Sequence, residues 1–147
     1  MHSPLASVAL FRSIPSDGLD ALAERGRPRR FAKGDVLMRQ GEPSDVLHVI
    51  QRGRVRVERV LPDEPVVILA ELDATEVVGE MGLLDNAPRS ATVTAITDTE
   101  TLELDASVVA AVIVQYPDVA TALLRTLSRR LRSADELAEH LARQRKR

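Results

Sequence analysis

The most informative part of this chain is residues 78–93, VGEMGLLDNAPRSATV. Two glycines, Gly79 and Gly82, let the backbone turn tightly and present consecutive N–H groups at the start of a short helix. Free N–H groups and the helix dipole favour an anion there. Arg89 adds a planar fork of donors that matches two phosphate oxygens, whereas the Glu80 carboxylate only accepts hydrogen bonds and suits a sugar hydroxyl. The stretch therefore carries the groups needed to hold a phosphorylated ribose.

This stretch resembles the phosphate-binding segment of the cyclic nucleotide-binding domain family, in which Gly-Glu and a short variable loop precede Arg-x-Ala-Thr/Ser-Val. Taken singly, Glu80 fits a helix N-terminus and Arg89 an exposed loop, but their joint spacing favours the resemblance. The resemblance implies that Glu80 accepts from the ribose 2′-hydroxyl, that Arg89 pairs with the cyclic phosphate, and that nearby backbone N–H groups bind the remaining phosphate oxygens. The ligand-binding residues predicted in this way are Gly79, Glu80, Met81, Gly82, Arg89, Ser90, Ala91 and Arg130.

The last helix resembles the long helix that follows the nucleotide domain in the catabolite activator protein class of bacterial regulators. The resemblance implies that Arg130 lies against Glu80. The threonine that bonds the adenine amino group in that class is matched here by Ala134, which has no polar side chain. Ser133 and Asp135 remain as possible substitutes if the helix is shifted.

The identity of the base is predicted from fewer residues. A serine at position 90 resembles the bacterial cyclic AMP pattern, so cAMP is the expected ligand and cGMP the alternative. We expect the base to rest on aliphatic side chains of the strands, among Val67, Leu69 and Val78. No other cofactor is expected.

Short apolar runs with a period of two alternate with Gly, Pro, Asp and Ser, which predicts strands. The resemblance extends over residues 10–131, and we interpret Gly34, Gly41 and Gly53 as turn residues. Together these features predict a mainly β fold, a double-stranded β-helix (jelly-roll) barrel with short N-terminal helices, an internal phosphate-binding helix and a long C-terminal helix. The predicted strands are residues 36–38, 46–50, 55–60, 66–72, 77–78, 91–96 and 101–104, with turns at 61–65 and 97–100.

Helices are predicted at both ends of the strand region. Residues 16–25 have apolar residues at helical spacing after a Pro-Ser-Asp start. Asp105 is a good N-cap for a helix that ends at Gln115, and Pro117 suits the first turn of a final helix. We therefore predict a barrel with its N-terminal helices over residues 1–116 and a C-terminal lid and dimerisation helix over residues 117–147.

The final helix carries an apolar seam with alternating spacings of four and three residues, which is typical of a coiled coil. We expect Leu123, Leu124 and Leu127 to pack on the barrel, whereas the half beyond Leu131 outruns a small barrel and needs a partner. A homodimer through this helix is the expected arrangement. The seam consists of Ala120, Leu124, Leu127, Leu131, Ala134, Ala138 and Leu141.

Composition bounds the class of protein. The 147 residues suffice for one domain, and the chain has no cysteine. The longest apolar run, residues 108–114, is much shorter than the roughly 20 residues of a membrane span, so we expect a cytoplasmic protein without a membrane segment. The formal net charge is −2, although residues 123–147 contain eight basic and three acidic side chains. That basic end either contacts an anionic partner or consists of solvated cations at a helix C-terminus, and the second explanation is favoured.

An enzyme is the rival from another class, because cupin-type barrels share this architecture. The catalytic and metal-binding groups of such enzymes are not evident, since His2, His48 and His140 are far apart and no cysteine nucleophile exists. We expect His48 to be an ordinary strand residue. The sequence predicts no catalytic residue, no metal site and no enzyme activity.

The output of the domain is left open by the sequence. Only 17 residues follow Arg130 and they read as helix, so we expect no DNA-binding domain in this chain. The alternatives are a sensor that acts on an unknown effector, the regulatory piece of a longer acyltransferase or transporter, or a degenerate dimerisation scaffold. We expect nucleotide capture to move the last helix through Leu83 and Leu84.

Overall fold

The structure is a computed structural model that describes residues 4–43, 45–80 and 87–145. Strands occupy the middle of the chain and helices its two ends. The helices are a short 3-10 helix Ala9–Phe11, α1 Ser16–Glu24, α2 Ala106–Gln115 and α3 Asp118–Arg145. The strands are β1 Arg27–Phe31, β2 Val36–Met38, β3 Val46–Arg52, β4 Arg54–Arg59, β5 Val67–Asp73, β6 Val77–Val78, β7 Thr92–Ala95 and β8 Thr99–Asp105.

The described strands form two four-stranded antiparallel sheets, ordered β1-β8-β3-β6 and β2-β7-β4-β5. The predicted mainly β fold with flanking helices and a long C-terminal helix is therefore confirmed. The two sheets form a sandwich, and pairing among the described strands does not close them into a barrel. The predicted phosphate-binding helix falls on residues 81–86, outside the described residues.

Strand β3 is buried on both faces, which explains why apolar residues occupy adjacent positions on either side of His48. Leu47 and Val49 pack with residues of α2, α3 and the N-terminal segment. Ile50 points the other way and packs with Val55 and Val93 of the second sheet. The core thus has two layers, one inside the sandwich and one between the first sheet and the helices.

Two elements differ from the prediction. Strand β1 was missed, because its arginine-rich sequence does not alternate and its first four residues are exposed at the sheet edge. Pro28 is tolerated there because an edge strand leaves one side unpaired. The predicted turn at 97–100 is shorter than expected, since β8 already begins at Thr99.

Asp105 stands at the N-cap position of α2 but makes no side-chain cap hydrogen bond. Its carboxylate oxygens instead accept from Arg27 Nη1 at 3.2 Å and Nη2 at 2.6 Å. The cap residue was therefore predicted at the right position, whereas its partner, 78 residues away, was not.

The first half of α3 packs on the domain through Val119 and Leu123, and Leu127 is partly buried beside them. Leu124, expected in this contact, is 62% exposed. The far end of α3 does not leave the domain altogether, because Arg145 pairs with Glu64 in the loop between β4 and β5. Within the described residues, no helix is both long enough and apolar enough to cross a membrane.

Candidate functional site

A cavity of about 790 Å³ lies where both sheets, α3 and the N-terminal segment meet. This volume is in the range of small-molecule sites. Six of the eight predicted ligand-binding residues line the cavity, namely Gly79, Glu80, Arg89, Ser90, Ala91 and Arg130. The other two, Met81 and Gly82, lie outside the described residues.

Arg89 is only 6% exposed and is held from both sides. Its Nη1 donates to the Gly79 carbonyl at 2.9 Å and its Nη2 to the Val46 carbonyl at 2.7 Å. Its backbone pairs with the turn at positions 41 and 42, with N–H donating to Glu42 at 2.7 Å and C=O accepting from Gly41 at 2.8 Å. Burial lowers the pKa of the guanidinium, although nearby carboxylates oppose this. A guanidinium has five N–H donors, and these two carbonyls of the described residues use two of them.

Gly79 brings the backbone close to the guanidinium. Its φ of +95° lies in the left-handed region that favours glycine. A Cβ atom at this position would stand 2.7 Å from Arg89 Nη1 and 3.1 Å from the Val46 carbonyl oxygen. Position 79 therefore favours glycine for two reasons, the positive φ and the lack of space for a Cβ atom.

Glu80 is 2% exposed, and its Oε1 forms an ion pair with Arg130 Nη1. Arg130 Nη2 also donates to the Val77 carbonyl at 2.6 Å. The contact between Arg130 and Glu80 that the resemblance implied is therefore present. It joins the segment after β6 directly to α3, while Glu80 Oε2 keeps its capacity to accept a hydrogen bond.

Two of the three aliphatic side chains expected to contact a base line the cavity. Leu69 and Val78 line the cavity, whereas Val67 is not among its lining residues. On α3, Ala134 and Ser133 line it and Asp135 does not. Ser133 Oγ donates to the Arg129 carbonyl at 3.1 Å, so its oxygen can still accept.

Sequence reasoning missed Arg59 as a residue of this cavity. It lines the cavity at the end of β4, and its Nε donates to the Ser90 carbonyl at 3.0 Å. A signal was available, since Val55, Val57 and Arg59 alternate along one strand and an arginine ends the apolar series. A cation at the end of a buried strand face indicates a polar partner or ligand.

A second buried polar cluster lies on β3 and β8. His48 is 2% exposed, and its Nδ1 is 2.9 Å from Thr101 Oγ1 while its Nε2 is 3.6 Å from Glu103. Burial lowers the pKa of His48 to about 4, against the opposing effect of Glu103. Glu103 pairs at 2.7 Å with both Arg27 and Arg29. Burial raises the pKa of Glu103, but the hydrogen bonds from Arg27 and the surrounding charges leave it lowered.

This second cluster has no geometry for a metal. His48 belongs to strand β3, as expected. In the part of the chain that the structure describes, no three His, Cys, Asp or Glu side chains gather around a possible metal position.

Residues 28–116 match the cyclic nucleotide-binding domain family. The chain belongs to this family. It is 30% identical over 132 residues to a CRP-like cAMP-activated global transcriptional regulator of Mycobacterium tuberculosis, covering 90% of this chain and 59% of that protein. It is 37% identical over 91 residues to the acetyltransferase Pat of Mycolicibacterium smegmatis, covering 62% of this chain and 27% of that protein. Among solved structures, the Thermus thermophilus catabolite activator protein gives a TM-score of 0.80 at 34% identity, covering 91% of this chain and 63% of that one.

The chain thus spans less than two thirds of the length of these relatives. The expectation that the protein lacks a DNA-binding domain receives no support, because a relative described as a transcriptional regulator extends well beyond the matched region. A cyclic nucleotide-binding regulatory domain is what the family membership establishes.

Proposed function

We propose that this domain is a sensor that binds cAMP in the cavity lined by Glu80 and Arg89 and converts binding into movement of α3. The proposal rests on one observation, that residues predicted to bind the ligand lie together in the structure. Six predicted residues line one cavity, and its acid and its phosphate-binding arginine are both buried there. Removal from water strengthens charge-assisted hydrogen bonds to a bound anion.

In this proposal Arg89 binds the cyclic phosphate with the donors that Gly79 and Val46 leave free. No acceptor for the backbone N–H groups of Ser90 and Ala91 occurs among the described residues, so these groups remain available to phosphate oxygens. Glu80 accepts from the ribose 2′-hydroxyl through the oxygen that Arg130 does not use. Met81 and Gly82 remain predicted ligand contacts through their backbone N–H groups.

The choice of cAMP is supported by Ser90 and by the relatives whose names refer to cAMP. Ala134 offers the base no hydrogen bond, so we expect Ser133 to supply the polar contact from α3. The alternative ligand is cGMP.

Transmission is proposed to run through the ion pair of Glu80 with Arg130, which already links the nucleotide cavity to α3. A ribose hydroxyl that donates to Glu80 competes with Arg130 for this carboxylate. The ligand shifts α3 only as far as it binds one position of the helix more tightly than another. A contribution of Leu83 and Leu84 stays a prediction, since both lie outside the described residues.

Assembly is proposed to use the exposed part of the α3 seam. Leu124 and Leu131 are each 62% exposed, and Leu141 is 36% exposed. A second copy of α3 packed along this line would cover all three side chains. We keep residues 1–116 as the nucleotide-binding part and residues 117–147 as its lid and dimerisation helix.

The effector is proposed to be a separate partner or another part of a longer protein. The match to the acetyltransferase Pat supports the second arrangement, because a similar domain there accompanies an enzyme. This domain itself is proposed to be regulatory, without catalysis of its own, and to act in the cytoplasm. The competing candidate, a degenerate scaffold, is disfavoured by the buried Glu80 and Arg89.

Calorimetric titration with cAMP and with cGMP tests the proposal. We expect both to bind and cAMP to bind more tightly. Tighter binding of cGMP would keep the sensor and reverse the base assignment. Heat of binding from neither nucleotide would favour the scaffold alternative.

A further inference from the structure

A basic groove of about 380 Å³ lies between the N-terminal 3-10 helix and α3, beside the nucleotide cavity. Four arginines line it, Arg12 from the N-terminal side and Arg125, Arg129 and Arg132 from α3. The three on α3 follow a spacing of four and three residues, so they share one face of the helix. Guanidinium groups therefore stand on two walls of the groove, which is here called the arginine groove.

Within the part of the chain that the structure describes, these arginines have no acidic partner. Neither the lining of the groove nor the ion pairs of the described residues provides a carboxylate for any of the four. Among the described residues, the one hydrogen bond made by their guanidinium groups runs from Arg129 Nη2 to Thr126 Oγ1, at 3.5 Å. By contrast, Arg143 and Arg145 further along the same helix each pair with a glutamate. Like charges facing one groove without counter-charges favour a bound polyanion.

The size of the positive strip indicates what kind of anion fits. From Arg125 to Arg132 the helix rises by roughly 10 Å. The next side chains along the helix include Asp135, Glu136 and Glu139, which would repel a longer negative partner. A compact chain of linked phosphates matches this length and the planar fork of each guanidinium better than an extended acidic peptide does.

We propose that the arginine groove is a second anion site, which binds a chain of two or three linked phosphates. The phosphate oxygens accept from Arg125 and Arg132 on α3 and from Arg12 across the groove. Such a ligand bridges the N-terminal segment and α3, the helix that also carries Arg130 to Glu80. Arg125 and Arg132 line the groove alone, whereas Arg12 and Arg129 line both the groove and the nucleotide cavity, so the two sites adjoin and only the first pair is specific to the groove.

Calorimetric titration with inorganic triphosphate tests this proposal directly. The double substitution Arg125→Ala and Arg132→Ala removes two charge-assisted contacts and should weaken triphosphate binding by roughly tenfold to a hundredfold. Both side chains are exposed and alanine favours helix, so the variant should fold, with circular dichroism as the check. The matched control is Arg143→Ala with Arg145→Ala, which removes the same charge from the same helix and should change the affinity by less than about twofold.

Two further arms identify the ligand and the site. ATP distinguishes a phosphate-only site from one that also contacts a nucleoside. Affinity equal to that of triphosphate indicates the first, and higher affinity indicates the second; both results support the proposal. Arg89→Ala should reduce triphosphate affinity less than the groove variant does. An equal or larger loss would assign triphosphate to the nucleotide cavity and overturn the proposal.

Other results would also overturn it. These are no triphosphate binding by the parent protein, equal losses in the groove and control variants, or arginine-dependent binding of a poly-glutamate peptide without binding of triphosphate. The last result would identify an acidic protein as the partner. None of these outcomes depends on whether cAMP binds, so failure here is distinct from failure of the proposed sensor function.

Discussion

A side chain at position 79 would strain the backbone and would also clash with Arg89. A second glycine, Gly34, has the same backbone conformation without the clash and so separates the two effects. Gly34 has nearly the same φ, +94° against +95°, but a Cβ there would meet no atom within 4 Å. Alanine at either position should cost about 1–2 kcal/mol of stability through the left-handed conformation. Only Gly79→Ala also forces the guanidinium of Arg89 to move, so only this variant should lose cyclic nucleotide affinity.

Urea unfolding and calorimetric titration of both variants measure these effects. Equal nucleotide affinity in the Gly79 and Gly34 variants would mean that the position of Arg89 does not limit binding.

Glu80 is predicted to read the ribose 2′-hydroxyl. Replacement by Gln keeps the shape but exchanges a charged acceptor for a neutral one, which should reduce the preference for cAMP over 2′-deoxy-cAMP by about fivefold. The measurement is the ratio of the two affinities in the parent and in Glu80→Gln. An equal loss for both ligands would show that Glu80 acts through its ion pair with Arg130 instead.

His48 predicts a pH dependence of stability. Its pKa is about 4 in the folded protein and 6.5 as the unperturbed value, so below pH 6.5 the unfolded chain takes up a proton that the folded protein does not. Stability therefore falls as the pH is lowered, by roughly 2 kcal/mol between about pH 7.5 and about pH 5. His48→Gln should lose correspondingly less over this interval in urea unfolding. If the free energy of unfolding changes with pH equally in the two proteins, His48 is not a buried neutral histidine.

Glu80 and Arg89 could be singled out from the sequence because both belong to one short, specific stretch, and the structure brings both to one cavity. Their surroundings could not. The carbonyl of Val46 that binds Arg89 is 43 residues away in sequence, and Ser90 meets Arg59 from 31 residues away. Such pairs depend on how the sheets stack, which local patterns do not specify.

At the level of elements, the apolar pattern predicted the strands that bury one or both faces. It did not predict β1. The arginines of β1 pair with three acidic residues of β8, so a charged edge strand is stabilised by its neighbour; these residues are Glu100, Glu103 and Asp105. The sequence predicted α3 as a helix with an apolar seam. It did not predict that α3 contacts β5 and the β4–β5 loop.

Helix α3 gives a prediction about assembly. Leu131 is 62% exposed, so Leu131→Asp should leave the domain folded and dissociate a dimer that buries this side chain. Ser128→Asp is the matched control, because position 128 is exposed on the same helix but lies off the seam. Because Leu131 also lines the cavity, the two variants are compared by sedimentation equilibrium without cAMP, and the parent protein with and without it. A parent protein that is monomeric under all conditions, or equal dissociation by both variants, would refute the α3 dimer.

In the whole molecule, the sandwich, the N-terminal segment and α3 surround one cavity and bring residues from position 7 to position 134 to its walls. The proposed sensor function requires an anion to bind Arg89 inside this cavity. Arg54 offers a control, because it is an exposed arginine of β4 that pairs with Asp73 outside the cavity lining.

Calorimetric titration of cAMP should therefore be compared in the parent protein, Arg89→Ala and Arg54→Ala. Loss of the buried charge-assisted phosphate contact should cost about 2–5 kcal/mol, which is on the order of 30-fold or more in affinity, while Arg54→Ala binds as the parent does. Circular dichroism shows whether both variants fold. Unchanged cAMP affinity in a folded Arg89→Ala protein would contradict the assignment of the phosphate site and with it the proposed function.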